Sequence, residues 1–112
     1  MSGRRLELFL YLAQRTSAAI LAPLVLVHLG LVVYATQGGL GAAEILGRTQ
    51  GSAFWALLYG LFVLAIAVHA PIGLRTIIGE TTPWRGRSLD VAMALVALGL
   101  LGLGFRAVAA VT

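Results

Sequence analysis

The chain holds two imidazoles, and both lie in apolar surroundings: His28 within residues 16–36, and His69 in the stretch His69-Ala70-Pro71-Ile72-Gly73-Leu74-Arg75. An ionisable side chain at membrane depth is costly, so it faces a partner, a cavity or a cofactor rather than lipid. Imidazole placed this way suits ligation of haem iron. The plainer reading of His69 is a hydrogen bond to a backbone carbonyl of a neighbouring helix, with Gly73 as a packing contact. For His28 taken alone, an interhelical hydrogen bond is the simpler account. At about 100° per residue, His69, Gly73, Thr76 and Glu80 share one helix face. A glycine one turn from the histidine leaves room for a flat macrocycle against the backbone. Arg75, about 9 Å further along the helix, suits an anionic partner such as a haem propionate or a carboxylate.

The two histidines are not expected to hold one iron between them. With Arg15 marking the inner membrane surface, His28 lies about 20 Å deep, while His69 is about 9 Å from Arg75. Their depths differ by roughly 10 Å on that basis, whereas two nitrogens on one metal sit about 4 Å apart. Each imidazole is therefore expected to find its partner in another chain. Arg15 by itself reads as a side chain snorkelling to lipid phosphates.

The elements that must carry these residues follow from composition. In 112 residues, 60% are hydrophobic and 11% charged, too apolar for a water-soluble domain of this size. Residues 16–36, 53–77 and 90–111 are each long enough to cross a hydrocarbon core, which takes about 20 helical residues. The expectation is an all-α chain, one membrane-anchor domain over residues 1–112, with three transmembrane helices. Helix-length spans exclude a barrel. Glu7, Gln14 and Arg15 interrupt the early residues, so the start reads as mature protein rather than a cleaved signal. The chain has no cysteine, which removes disulfides, thiolate metal sites and iron–sulfur ligation by this chain.

The net charge of +4 comes from eight arginines against four acidic residues. Arg4, Arg5 and Arg15 precede the first span and Arg75, Arg85 and Arg87 surround the second loop. Only Arg48 and Arg106 lie towards the other side. The positive-inside rule then places the N-terminus and second loop in the cytoplasm, and the C-terminus outside. This charge is topological and does not indicate nucleic acid.

Along the chain, the first fourteen residues read as a short amphipathic lead-in whose Leu6, Phe9, Leu10 and Tyr11 can rest at the membrane surface. Pro23 falls inside the first helix, where it frees a carbonyl. Gly38, Gly39, Gly41 and Gly47 suggest a tight first connection. Phe54, Trp55 and Tyr59 suit an aromatic belt at the outer end of the second span. Ser88 or Asp90 is expected to cap the third helix. That helix is rich in glycine and alanine, which permits close backbone approach.

Taken together, the motifs resemble the cytochrome b556 membrane-anchor subunit of succinate dehydrogenase and related fumarate reductases. That family opens its first helix with Arg-x-Ser/Thr-Gly, matched by Arg15-Thr16-Ser17-Ala18 with alanine in place of glycine. It carries His-x-x-x-Gly-x-Arg near the inner end of its second helix, followed by an acidic residue. His69, Gly73, Arg75 and Glu80 match at that spacing. The resemblance implies that His69 is an axial ligand of haem b, its iron shared with a histidine of a second membrane-anchor subunit. It also implies Arg75 near a propionate and Arg15 and Ser17 at a quinone site. The assembly would pass electrons from succinate, through a flavoprotein subunit and an iron–sulfur subunit, to a quinone in a bacterial inner (plasma) membrane. Some relatives carry two haems, and His28 would suit a second, distal one. Departures are Gln14 where a histidine often stands, Tyr11 for a serine, and Thr76 for a second histidine. They bear on the quinone contacts more than on the axial ligand.

Two other readings stay open at this point. One is a small proton-coupled transporter with His28, His69 and Glu80 as a relay. The other is a haem-free structural anchor.

Overall fold

A computed structural model describes residues 3–112, which form four helices: α1 (Gly3–Gln37), α2 (Ala42–Thr49), α3 (Ala53–Thr81) and α4 (Arg87–Val111). There is no strand among the described residues. Helices α1, α3 and α4 are long and apolar enough to cross a membrane. They run up, down and up, with α3 packed against both of the others. In their most apolar stretches only 11%, 17% and 6% of residues are buried. Leu26, Leu29, Leu57, Leu95, Leu98 and Leu103 are all more than half exposed. Such faces are stable only against lipid or other membrane helices.

The packed faces follow helical spacing. Ser17, Leu21 and Leu24 are the buried residues of α1, at i, i+4 and i+7, so they form one stripe. Leu89 and Met93 do the same on α4. The flanks of α3 divide between its two neighbours, with Arg75 reaching both. Phe62, His69 and Gly73 meet α1, through His28, Ser17 and Gln14. Gly60, Val63 and Arg75 meet α4, through Phe105, Gly104 and Asp90. Contact with α4 is tightest at Gly104, where an added Cβ would fall 2.5 Å from Val63 Cγ1.

Several sequence expectations are revised. The lead-in is not a separate surface helix: α1 is continuous from Gly3 through Pro23, because residues 4–22 hold neither glycine nor proline to end it. At about 1.5 Å per residue its 35 residues span roughly 52 Å, against a hydrocarbon core of about 30 Å. The long axis of the molecule is accordingly 49 Å, and α1 overhangs the membrane. Helix α3 continues to Thr81, past the expected close at 77, and α4 starts at Arg87 rather than 90.

The first connection holds a helix of its own. In α2, Glu44 lies in the first turn and Arg48 in the last, each at the end that its charge favours. Thr49 Oγ1 donates to the Val111 carbonyl (2.5 Å) and Gly51 N–H to that of Thr112 (2.9 Å), so α2 is fastened to the end of α4. The Arg48 guanidinium lies 5.3 Å from the centre of the Tyr34 ring.

Neither residue expected to cap α4 does so. The cap position is Gly86, at φ +91°, a conformation that favours glycine. Ser88 instead accepts from the Trp84 indole N–H at 2.8 Å, and Asp90 pairs with Arg75. The Arg85 guanidinium donates to the Gly79 carbonyl at the end of α3.

Candidate functional site

The N-terminal part of α1, the end of α3 and the start of α4 meet at one end of the bundle. Here the spacing of α3 sends its two notable side chains to different flanks. Arg75 lies six residues after His69, which turns it about a third of a revolution away from the imidazole. His69 faces α1 and Arg75 reaches α4.

His69 is half-buried. Its Nδ1 is 3.5 Å from Ser17 Oγ, and Ser17 is only 4% exposed. The Ser17 hydroxyl donates its single proton to the Gln14 carbonyl one turn back, at 3.0 Å. Ser17 can then only accept from His69. A neutral His69 making this contact carries its proton on Nδ1, and its lone pair is then on Nε2. Among the described residues Nε2 has no hydrogen-bonding partner.

Gly73 does not leave the gap expected beside His69. Its bare backbone faces α1, where an added Cβ would lie 3.3 Å from Gln14 Nε2. The other amide atom, Gln14 Oε1, is buried without a hydrogen-bond partner among the described residues, a costly state for a polar atom.

Arg75 is held by two carboxylates. Nε donates to Asp90 Oδ1 at 2.7 Å, and Nη2 donates to Glu7 Oε1 at 3.1 Å. One guanidinium thereby ties α1, α3 and α4 together. It also divides two spaces. On one side is an apolar groove of about 390 Å³ whose only charged lining residues are Arg75 and Asp90. Leu6, Phe9 and Leu10 line that groove. On the other side is a polar cavity of about 480 Å³ with Glu7, Thr76, Glu80 and Arg85.

The two ion pairs differ in weight. The Glu7 side chain is 66% exposed and that of Asp90 38%. Removing Asp90 (Asp90→Ala) is expected to cost about 1–3 kcal/mol, the range for a hydrogen bond to a charged group. Glu7→Ala should cost less than about 1 kcal/mol, as exposed pairs do. Thermal unfolding of the detergent-solubilised protein checks this ordering, and equal losses would contradict it.

Arg15 is exposed and forms no ion pair with the other described residues. His28 lies elsewhere, edge-on to Phe62 with ring centres 5.5 Å apart. With Tyr59 it lines a cavity of about 330 Å³ bordered by α2. Phe62 precedes His69 by seven residues, so the histidines are separated by about 10 Å along α3. Glu80 is about 16 Å beyond His69 by the same rise. The three residues thus make no direct proton relay, and no group of three or more metal-binding side chains occurs among the described residues.

Sequence reasoning missed Glu7 and Asp90 as partners of Arg75, and Ser17 as a neighbour of His69. A signal for the first was present: Glu7 and Asp90 are two of only four acidic residues, and each stands among apolar neighbours at the same end as Arg75. The second needed the rotation of α1 against α3, which no spacing within one helix reveals.

A family model described as the succinate dehydrogenase/fumarate reductase transmembrane subunit matches residues 1–104. No curated protein matches the chain, and no solved structure does.

Proposed function

We propose, from the premise that the chain belongs to the succinate dehydrogenase/fumarate reductase transmembrane-subunit family, that it is the haem b-binding anchor through which electrons pass between an iron–sulfur subunit and a membrane quinone. The supporting observation is His69: Nδ1 rests on Ser17, and Nε2 has no hydrogen-bonding partner among the described residues. That donor set fits one axial bond to haem iron. A single imidazole supplies half of a bis-imidazole site, so the opposite ligand is a histidine of a second membrane-anchor subunit. Bound there, haem b supplies a one-electron store near the quinone.

The chain's own residues do the rest. The α1–α3 contact orients the His69 ring. Arg75 neutralises a propionate, with Glu7 as the partner that yields, since it is the more exposed carboxylate and holds the longer of the two bonds. Arg15, with no ion pair among the described residues, serves the quinone site. Glu80 and Thr76 border the polar cavity from which protons would come.

The basic excess at this end supports a reading in which it faces the cytoplasm from a bacterial inner membrane. The flavoprotein and iron–sulfur subunits would dock there. The test is an optical spectrum of the purified complex. Reduced-minus-oxidised bands of a low-spin b-type haem support the proposal, and a colourless membrane domain with full quinone reductase activity defeats it. The latter result would leave a haem-free anchor.

A further inference from the structure

We infer that Ser17 is a positioning residue for the His69 ligand, fixing its tautomer and ring orientation, rather than a contact for quinone. The inference rests on the reading of His69 as an axial ligand and goes one residue beyond it.

Ser17 is the one polar member of the buried stripe Ser17, Leu21, Leu24 on α1. A hydroxyl in that place is costly unless it is paired. Its proton is committed to the Gln14 carbonyl, so towards α3 it presents only lone pairs. The atom it meets there is His69 Nδ1. The pairing has direction: carbonyl of Gln14, hydroxyl of Ser17, N–H of His69, then the bare Nε2. Each acceptor strengthens the donor behind it. Pull on the Nδ1 proton makes the opposite nitrogen a better ligand and holds the ring plane at one angle. The 3.5 Å separation lies at the long end of hydrogen-bonding distance.

Burial argues against direct contact between Ser17 and quinone. At 4% exposure its oxygen is covered by α1 and α3, and both its partners lie inside the chain. Arg15, two residues earlier and exposed, remains available to a ligand.

The test compares Ser17→Ala and Ser17→Thr in the assembled complex, with haem content measured first. Ser17→Ala should retain haem, shift its midpoint potential to a more positive value, and change the electron paramagnetic resonance signal of the oxidised low-spin iron. A weaker axial donor stabilises ferric iron less. Ser17→Thr keeps the hydroxyl and should restore both properties. The Michaelis constant for quinone should remain within about twofold in both variants.

An unchanged potential and resonance signal in Ser17→Ala with haem retained would overturn the inference. So would a rise in that Michaelis constant of tenfold or more with an unaltered haem, which would move Ser17 to the quinone site. Absence of haem from the parent complex is a different result, because it removes the reading of His69 itself.

Discussion

The His69→Ala complex should assemble without its low-spin haem spectrum, while His28→Ala keeps it. The expectation rests on how the two imidazoles are held. His69 has Nδ1 beside a buried hydroxyl and no hydrogen-bonding partner on Nε2 among the described residues, the arrangement on which the proposed metal bond rests. His28 is exposed and packs edge-on against Phe62, in a different layer of the bundle. Loss of one of two axial ligands leaves a five-coordinate haem at best, so the spectrum should convert to high-spin or vanish. Quinone reduction should then be read separately from the spectrum. If His69→Ala retained a bis-imidazole spectrum, the ligand would lie elsewhere and Ser17 would lose its proposed role.

The second large effect concerns packing. Gly104→Ala is expected to destabilise the protein by about 1–3 kcal/mol, the usual cost of overfilling a packed contact. The new Cβ would lie 2.5, 2.9 and 3.2 Å from three side-chain atoms of Val63. Valine has one stiff side-chain torsion in a helix and cannot swing away cheaply. The double variant Val63→Ala/Gly104→Ala should recover most of the loss, because the obstructing methyls are then gone. Thermal unfolding in detergent measures both. A Gly104→Ala protein as stable as its parent would show that α3 and α4 separate freely. Gly99 and Gly102 have no such neighbour and should accept alanine in the isolated chain, which makes them internal controls.

Much of this architecture was legible before any coordinates. Three spans follow from runs of apolar residues, and the depth difference between His28 and His69 follows from helical rise. The contacts with Phe62 and Ser17 agree with that difference. What was not legible is informative about why. The start of α1 was placed too late because Glu7, Gln14 and Arg15 are polar for lipid, yet polarity does not end a helix. Here α1 simply projects beyond the hydrocarbon. Helix α2 was missed because four glycines suggested a turn, whereas the intervening Ala42-Ala43-Glu44-Ile45-Leu46 has helix-forming composition.

The candidate site divides along the same line. Residue types and spacing within α3 singled out His69, Gly73 and Arg75. Their partners depend on how neighbouring helices are rotated. That rotation turned the supposed gap at Gly73 into a seat for Gln14, and it gave Arg75 two carboxylates within its own chain.

The fastening of α2 to the far terminus bears on the order in which the molecule is made. Thr49 bonds to a carbonyl sixty-two positions downstream, and Gly51 to that of Thr112. Neither acceptor exists while the first two spans are entering the bilayer. The α2 cap must therefore wait, loosely placed, until α4 has crossed. Closure of this latch marks a bundle in which all three spanning helices are in place.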